Sequence, residues 1–318
     1  MSKRTQAALA MMATTAMWGA TFVLVKQALE SASVFTFMVL RFGLAALVMA
    51  AMYRAAVRGM SRSELRAGVE IGLFLFAGYA FQNAGLLFTT ASKSAFITGS
   101  AVVLVPVLLF AFWRRKARTS AWVGAFAALA GLFFITVPGG AGLSGFAHLN
   151  RGDVLTMVGA ISFALHIIFI GRYTSGHVTN DVAPRMSIGA LSFVQVAVTA
   201  LLSVVAIPLF HFAGWEATRL DWNPRLITAV AITGILGTAL AFSVQVWAQR
   251  YLAPSHTGLL LTLEPVFAAL TSYLWLGERL GGRALFGACL ILIGILIAEL
   301  RGPAQAAADS PGPVRQIE

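Results

Sequence analysis

Residues 97–107 read ITGSAVVLVPV, and residues 256–266 read HTGLLLTLEPV. Thr98, Gly99, Leu104, Pro106 and Val107 recur 159 positions later as Thr257, Gly258, Leu263, Pro265 and Val266. At the same offset Gly78 matches Gly237, and Ala80 matches Ala239. Identities of Ala and Leu arise by chance in apolar helices. A Gly-Pro spacing that repeats inside two apolar runs is more informative, because both residues perturb a helix. Further on, Gly124 and Gly131 keep the seven-residue spacing of Gly287 and Gly294. The two halves of the chain therefore read as copies of one unit.

The surroundings of the repeat decide its solvent. Of the 318 residues 58% are hydrophobic and 11% charged, and mean hydropathy is +0.82. Soluble domains carry about a quarter of their residues as charges. A soluble globule and a disordered chain are both excluded, the second because disorder needs low hydrophobicity. A spanning helix takes about 20 apolar residues. Suitable runs lie at 5–25, 34–53, 71–92, 94–113, 119–150, 154–171, 186–215, 226–249, 255–276 and 280–300. The expected fold class is an all-α membrane protein with ten transmembrane helices. The N-terminal run is long and continues into Lys26 and Glu30, so it reads as a retained first helix rather than a cleaved signal.

Ten spans in two copies give five to each half. A second set of five enters the membrane from the opposite side, so the halves are expected to be inverted repeats. Inverted repeats are common in secondary transporters, with the binding site near mid-membrane between them. The expected divisions are 1–140 for the first repeat, 150–300 for the second, and 301–318 for a disordered cytoplasmic tail rich in Pro, Ala and Gly.

Net charge is +11, from 23 Lys and Arg against 12 Asp and Glu. The cations cluster in short stretches between apolar runs, as at Arg54, Arg58, Arg62 and Arg66, or at Arg114, Arg115, Lys116 and Arg118. Such clusters set topology; they do not form the basic face that nucleic acid needs. Placing the N-terminus in the cytoplasm puts most cations inside, so both termini are expected there, in the cytoplasmic (inner) membrane of the cell. The single Cys289 forms no intramolecular disulfide.

At this point the chain resembles a ten-helix EamA-type permease of the drug/metabolite transporter superfamily. The residues that carry the resemblance are Trp18-Gly19, Arg41-Phe42, Glu264-Pro265 and Leu276-Gly277-Glu278-Arg279, within roughly 7–300. The first half has Trp113-Arg114-Arg115-Lys116 where the second has Leu-Gly-Glu-Arg. The resemblance implies a bundle with a central cavity and export of small metabolites or amino acids.

Candidate residues follow from polar groups inside apolar runs. Glu264 is the one acid deep within a span, and an intramembrane acid is a functional candidate for a substrate amine or a coupled proton. Its structural alternative is a bond to backbone groups freed by Pro265, or to Arg41. Arg41 itself reads as structural, with a headgroup or a substrate carboxylate as its other partners. Tyr79, Gln82 and Asn83 share a helical face. Thr238, Gln245 and Gln249 fall on one side of their helix, His166 lies one turn from Ser162, and Thr14 and Thr21 flank Trp18. These faces are expected to line a cavity, against the alternative of hydrogen bonding within a dry bundle. Pro106 and Pro265 are candidate hinges or kinks, and Gly99 and Gly258 candidate sites of close helix approach.

No glycine precedes any of the four lysines, so a Walker A loop is absent; H-E-x-x-H and G-x-S-x-G are absent too. The expectation is therefore no enzyme, no cofactor and no metal. The function expected is a secondary transporter, an exporter, working by alternating access on a small-molecule substrate among membrane lipids, with Glu264 a candidate for a substrate amine or for proton coupling, as a monomer or homodimer. A lipid-linked substrate flippase or a channel-like facilitator is the alternative.

Overall fold

The computed structural model describes residues 1–89, 91–137, 150–175, 186–276 and 281–300. Among them the fold is all-helical, with one isolated bridge between Ala32 and Leu220. The tail 301–318 and most of the Leu-Gly-Glu-Arg stretch (277–279) lie outside the described residues.

The helices in chain order are α1 (Lys3–Ser31), α2 (Val34–Met52), the single turn α3 (Arg54–Arg58), α4 (Arg62–Leu86), α5 (Ala91–Gly99), α6 (Ala101–Trp113), α7 (Thr119–Thr136), α8 (Arg151–Thr174), α9 (Ile188–Phe212), α10 (Pro224–Gly234), α11 (Ala241–Ala248), α12 (Pro254–Leu261), α13 (Glu264–Leu276) and α14 (Gly282–Leu300). A π-helical turn, Ile235–Leu240, joins α10 to α11. Among the described residues, six stretches are long and apolar enough to cross a membrane: α2, 94–113, α7, α8, α9 and 224–248. α1 and α4 are as long but carry charges at their ends, including Lys3, Arg4 and Glu30 in α1 and Arg62, Glu64, Arg66 and Glu70 in α4. Leu47, Phe112, Phe126, Leu201, Leu274 and Leu296 are each more than half exposed. In water these would be patches; around a multi-pass bundle they are the surface that lipid covers.

Glycines set how the helices pack. A Cβ on Gly124 would lie 2.6 Å from the Gly294 carbonyl, and one on Gly294 would lie 2.6 Å from the Gly124 carbonyl. Gly131 and Gly287 stand in the same mutual relation, at 2.4 and 2.5 Å. α7 and α14 therefore run antiparallel with backbones in direct contact, which only residues without a side chain allow. Gly78 and Gly85 of α4 meet α8 in the same way, at Phe163 and at Gly152 and Thr156. Gly68 and Gly72 of α4 seat Val194 and Val198 of α9, so this pair runs parallel.

Hydrogen-bonding side chains start several helices. Ser61 and Glu64 form a capping box on α4, and Asn150 and Asp153 form one on α8. Asn223 caps α10 ahead of Pro224 at its first position. Apolar clusters fill the interior. One is built on Phe35, Met38, Phe42, Leu75 and Phe242; another is built on Met11, Ala128, Leu252, Leu260, Leu263 and Ile291. Both draw residues from the two ends of the sequence, so the halves share a core.

Candidate functional site

The π-turn is the local feature that builds the site. A π-turn carries one residue more than an α-turn and leaves a carbonyl without its usual partner. Here the Gly237 carbonyl accepts from Trp18 Nε1 at 2.7 Å and from Arg41 Nη2 at 3.3 Å. Arg41 Nε donates to Thr238 Oγ1 at 2.8 Å, and that hydroxyl donates to the Thr233 carbonyl, five residues back, at 2.8 Å. A glycine at 237 keeps the approach open: Arg41 Nη2 and Thr21 Oγ1 each lie 3.8 Å from where its Cβ would be.

Arg41 is 6% exposed. Its guanidinium carbon lies 5.5 Å from the Phe42 ring centre and 5.4 Å from that of Tyr79. Phe42 and Phe163 meet the Tyr79 ring edge-on at 5.2 and 5.3 Å. Aromatic faces favour a cation placed over them, which offsets part of its desolvation.

Glu264 is not in mid-helix. The chain breaks at Thr262 and Leu263, and Glu264 is the first residue of α13. Its carboxylate thus stands at the positive end of a half-helix. Pro265 falls at the second position of α13, where its missing N–H costs no helical bond. The carboxylate lies in electrostatic range of Arg41 and Tyr79, yet it makes no hydrogen bond or ion pair among the described residues. Gly19 packs on the same break: a Cβ there would lie 2.6 Å from the Glu264 carbonyl oxygen and 2.8 Å from the Ala268 nitrogen. Trp18-Gly19, Arg41-Phe42 and Glu264-Pro265 therefore meet in one place, together with the π-turn.

A second, uncharged polar group lies across Phe242, whose ring is 5.5 Å from Trp18 and 5.8 Å from His166. Buried His166 Nε2 shares a hydrogen bond of 2.8 Å with Gln195 Oε1. Gln245 Nε2 donates to Gln249 Oε1 at 3.4 Å, and Gln249 Nε2 donates to the Ile167 carbonyl at 2.8 Å. Among the described residues, the buried Gln195 Nε2, Gln245 Oε1 and Ser192 Oγ have no hydrogen-bond partner.

The other candidates are dispersed. Thr14 bonds the Ala10 carbonyl of its own helix, Thr21 that of Trp18, and Ser162 that of Val158. Gln82 reaches Thr98 of α5 at 3.0 Å, while Asn83 turns to Met38 Sδ of α2 at 3.6 Å, so the α4 face splits between two neighbours. Pro106 lies inside α6, six residues past the break at Ser100 that separates it from α5. Pro265 abuts its break, so the two prolines are not equivalently placed. Gly99 ends α5 with Leu132 Cδ2 2.2 Å from its would-be Cβ; Gly258 has only ordinary contact, with Val105 at 3.5 Å.

Sequence reasoning missed Gln195, Gly237 as acceptor, and Thr233. Gln195 had a signal, as the one amide within the apolar run 188–212. Two pockets, of about 170 Å³ beside α7, α13 and α14 and about 360 Å³ at Glu30 and Arg225, touch none of the polar residues above.

Comparison with known proteins gives the family of the chain. The EamA-like transporter family matches residues 5–137 and again 150–300. A protein named as an uncharacterized transporter in Archaeoglobus fulgidus is 33% identical over 299 residues, covering 94% of this chain and 87% of that one. A WAT1-related chloroplastic protein of Arabidopsis thaliana is 24% identical over 292 residues, with 89% of this chain and 66% of that one covered. A crystal structure of another protein, 18% identical, superposes with a TM-score of 0.74 over 93% of this chain and 98% of that chain, and so shares the fold. The chain is a multi-pass membrane protein, and it belongs to the EamA-like transporter family of the drug/metabolite transporter superfamily.

Proposed function

We propose that the chain is a secondary transporter of the cytoplasmic membrane that exports small metabolites or amino acids by alternating access. It has ten spans in two inverted five-helix repeats, residues 1–140 and 150–300, with both termini in the cytoplasm. Support for the two units comes from the family matching twice, at 5–137 and 150–300. Support for the inversion comes from the glycines. Gly124 in the first half corresponds to Gly287 in the second, and Gly131 to Gly294. The contacts are Gly124 with Gly294 and Gly131 with Gly287. That crosswise pattern is what a two-fold relation generates, since each residue meets the counterpart of its partner.

The observation that carries the function is the unbonded Glu264 carboxylate beside buried Arg41, at the break between α12 and α13 where α1, α2 and the π-turn meet. A buried cation and a half-buried acid held near each other without a direct bond among the described residues are an incomplete pair, and each can take a polar group of a solute. The substrate contacts are Trp18, Tyr79 and Glu264 beside Arg41, with His166 and Gln245 in the uncharged group. Thr14, Thr21, Gln82, Asn83 and Thr238 shape the surrounding helices. Glu264 also carries the coupled proton.

The test is counterflow in proteoliposomes with a panel of labelled amino acids and small organic acids. The expected result is saturable exchange that Glu264→Gln abolishes or makes insensitive to pH. Unsaturable flux without counterflow would assign a channel, and movement of labelled lipid between leaflets would assign a flippase. Unchanged rate and pH profile in Glu264→Gln would remove this residue from the site.

A further inference from the structure

Two carboxylates outside the site hold opposite ends of α9, one to α4 and the other to α2. α2 and α9 lie side by side, and Tyr53 at the end of α2 packs on Gly189 at the start of α9. The two helices are therefore antiparallel, and the N-terminus of each lies at the other's C-terminal end.

At one end Glu64, the third residue of α4, serves two helix starts. Its Oε2 accepts from the Ser61 backbone N–H at 2.9 Å, closing the capping box of its own helix. Its Oε1 accepts from the backbone N–H of Ser187, the cap residue of α9, at 2.7 Å. At the other end Glu216, in the segment after α9, reaches the start of α2. Its Oε1 accepts from the Val34 N–H at 2.7 Å, and its Oε2 from the Phe35 N–H at 3.5 Å. Each carboxylate thus belongs to one half of the sequence and caps the second long helix of the other half. Both bonds unite an anion with unpaired amides at the positive end of a helix, the arrangement that makes such contacts strong.

Among the described residues, the bonds at the two ends are these. Beside Glu216, Ser33 N donates to the Arg219 carbonyl at 2.9 Å and Asp221 N to the Ser31 carbonyl at 2.8 Å. Arg219 Nη2 donates to the Leu29 carbonyl at 2.7 Å, and Asn223 Nδ2 to Ser31 Oγ at 2.8 Å. Beside Glu64, the Arg250 guanidinium donates to the Met186 carbonyl.

We propose that Glu64 and Glu216 are a pair of latches, one at each end of α9, released alternately to open the polar centre to one side of the membrane and then the other. This rests on the alternating-access reading above. With both latches closed the centre is shut at both ends. Breaking the Glu64–Ser187 bond frees the α4 start from α9; breaking the Glu216–Val34 bond frees the far end of α2.

The test needs no known substrate. In a Cys289→Ser background, Thr21→Cys places one thiol in the polar centre. A membrane-impermeant maleimide is then applied to vesicles of each orientation. Glu64→Gln is expected to raise labelling from the Glu64 side on the order of tenfold, the factor that loss of one charge-assisted hydrogen bond supplies. Labelling from the other side should fall. Glu216→Gln should do the reverse. Glu64→Asp and Glu216→Asp, which keep the charge and shorten the reach, should give intermediate rates and guard against a variant that does not fold. Lowered melting temperature with unchanged labelling from both sides would make the carboxylates static staples and overturn the proposal. Opposite shifts in labelling without any solute counterflow would leave the latches standing and remove the carrier reading instead.

Discussion

Gly131 and Gly287 face one another so closely that a methyl group on either would meet the other's carbonyl oxygen at about 2.5 Å. Real Cβ contacts do not come that close, and the atom opposite is backbone, which cannot rotate away. Gly131→Ala and Gly287→Ala are each expected to push α7 from α14 and destabilise the protein by about 1–3 kcal/mol, the cost of overpacking. Thermal melting of detergent-solubilised protein checks this. The same exchange at Gly43, which has nothing within 4 Å of its would-be Cβ, should leave the melting temperature unchanged or slightly raised.

Trp18→Phe removes the indole N–H from the Gly237 carbonyl and keeps an aromatic ring against Phe242. The loss expected is about 1 kcal/mol of stability, the net worth of one hydrogen bond. Transport should fall further than stability does, because the π-turn carbonyl also aligns Arg41. Melting and counterflow measured on the same preparation separate the two effects.

Arg41 offers a sharper contrast. Its fork bonds Thr238 Oγ1 and the Gly237 carbonyl together while stacking on Tyr79. Lysine has neither the fork nor the planar face. Arg41→Lys is expected to lose about 2 kcal/mol. Arg41→Met, which removes the buried charge and fills similar space, should melt nearer the wild type. Neither should transport. Normal counterflow by Arg41→Met would show that the charge serves the fold alone.

Glu64 should give a dependence on pH. Its backbone bonds to Ser61 and Ser187 hold the carboxyl below its usual value of 4.5. A carboxyl lowered on folding stabilises the folded state above its unfolded pKa, and that contribution fades as pH falls through the folded value. Glu64→Gln should therefore melt below the wild type at neutral pH, and the gap should close in acid. A gap that persists unchanged in strong acid would mean that packing, and not the anion, is lost.

Much of the architecture was legible because its signals are one-dimensional. Apolar runs map onto helices from α1 to α14, and the seven-residue glycine spacing marks the helices whose backbones touch. The charged centre was legible in part: Trp18, Arg41 and Glu264 stood out as polar or aromatic residues within apolar runs. What stayed hidden depends on the third dimension. Thr14 looked like cavity lining, but a threonine inside a helix can satisfy its hydroxyl on the carbonyl one turn back, and it does so on Ala10. Gln82 and Asn83 share a helical face, yet that face is wide enough to meet α5 with one and α2 with the other. Pro265 suggested a hinge or kink within a span. The chain instead ends one helix at Leu261 and starts another at Glu264, so proline sits where helices begin. The π-turn has no reliable sequence signature; Gly234 and Gly237 three apart were its only trace.

That turn holds one residue in excess of regular α-helix, so deletion of a single residue between Ile235 and Leu240 would leave an unbroken helix rather than a gap. Phe242, Gln245 and Gln249 beyond it would keep nearly the same direction, because the turn is what absorbs the extra residue; the same deletion within α11 would rotate everything beyond it by about 100°. What the shorter turn would lose is the bulge that presents the Gly237 carbonyl to Trp18 and Arg41. A chain one residue shorter there would keep its greasy exterior and lose the acceptor at its centre.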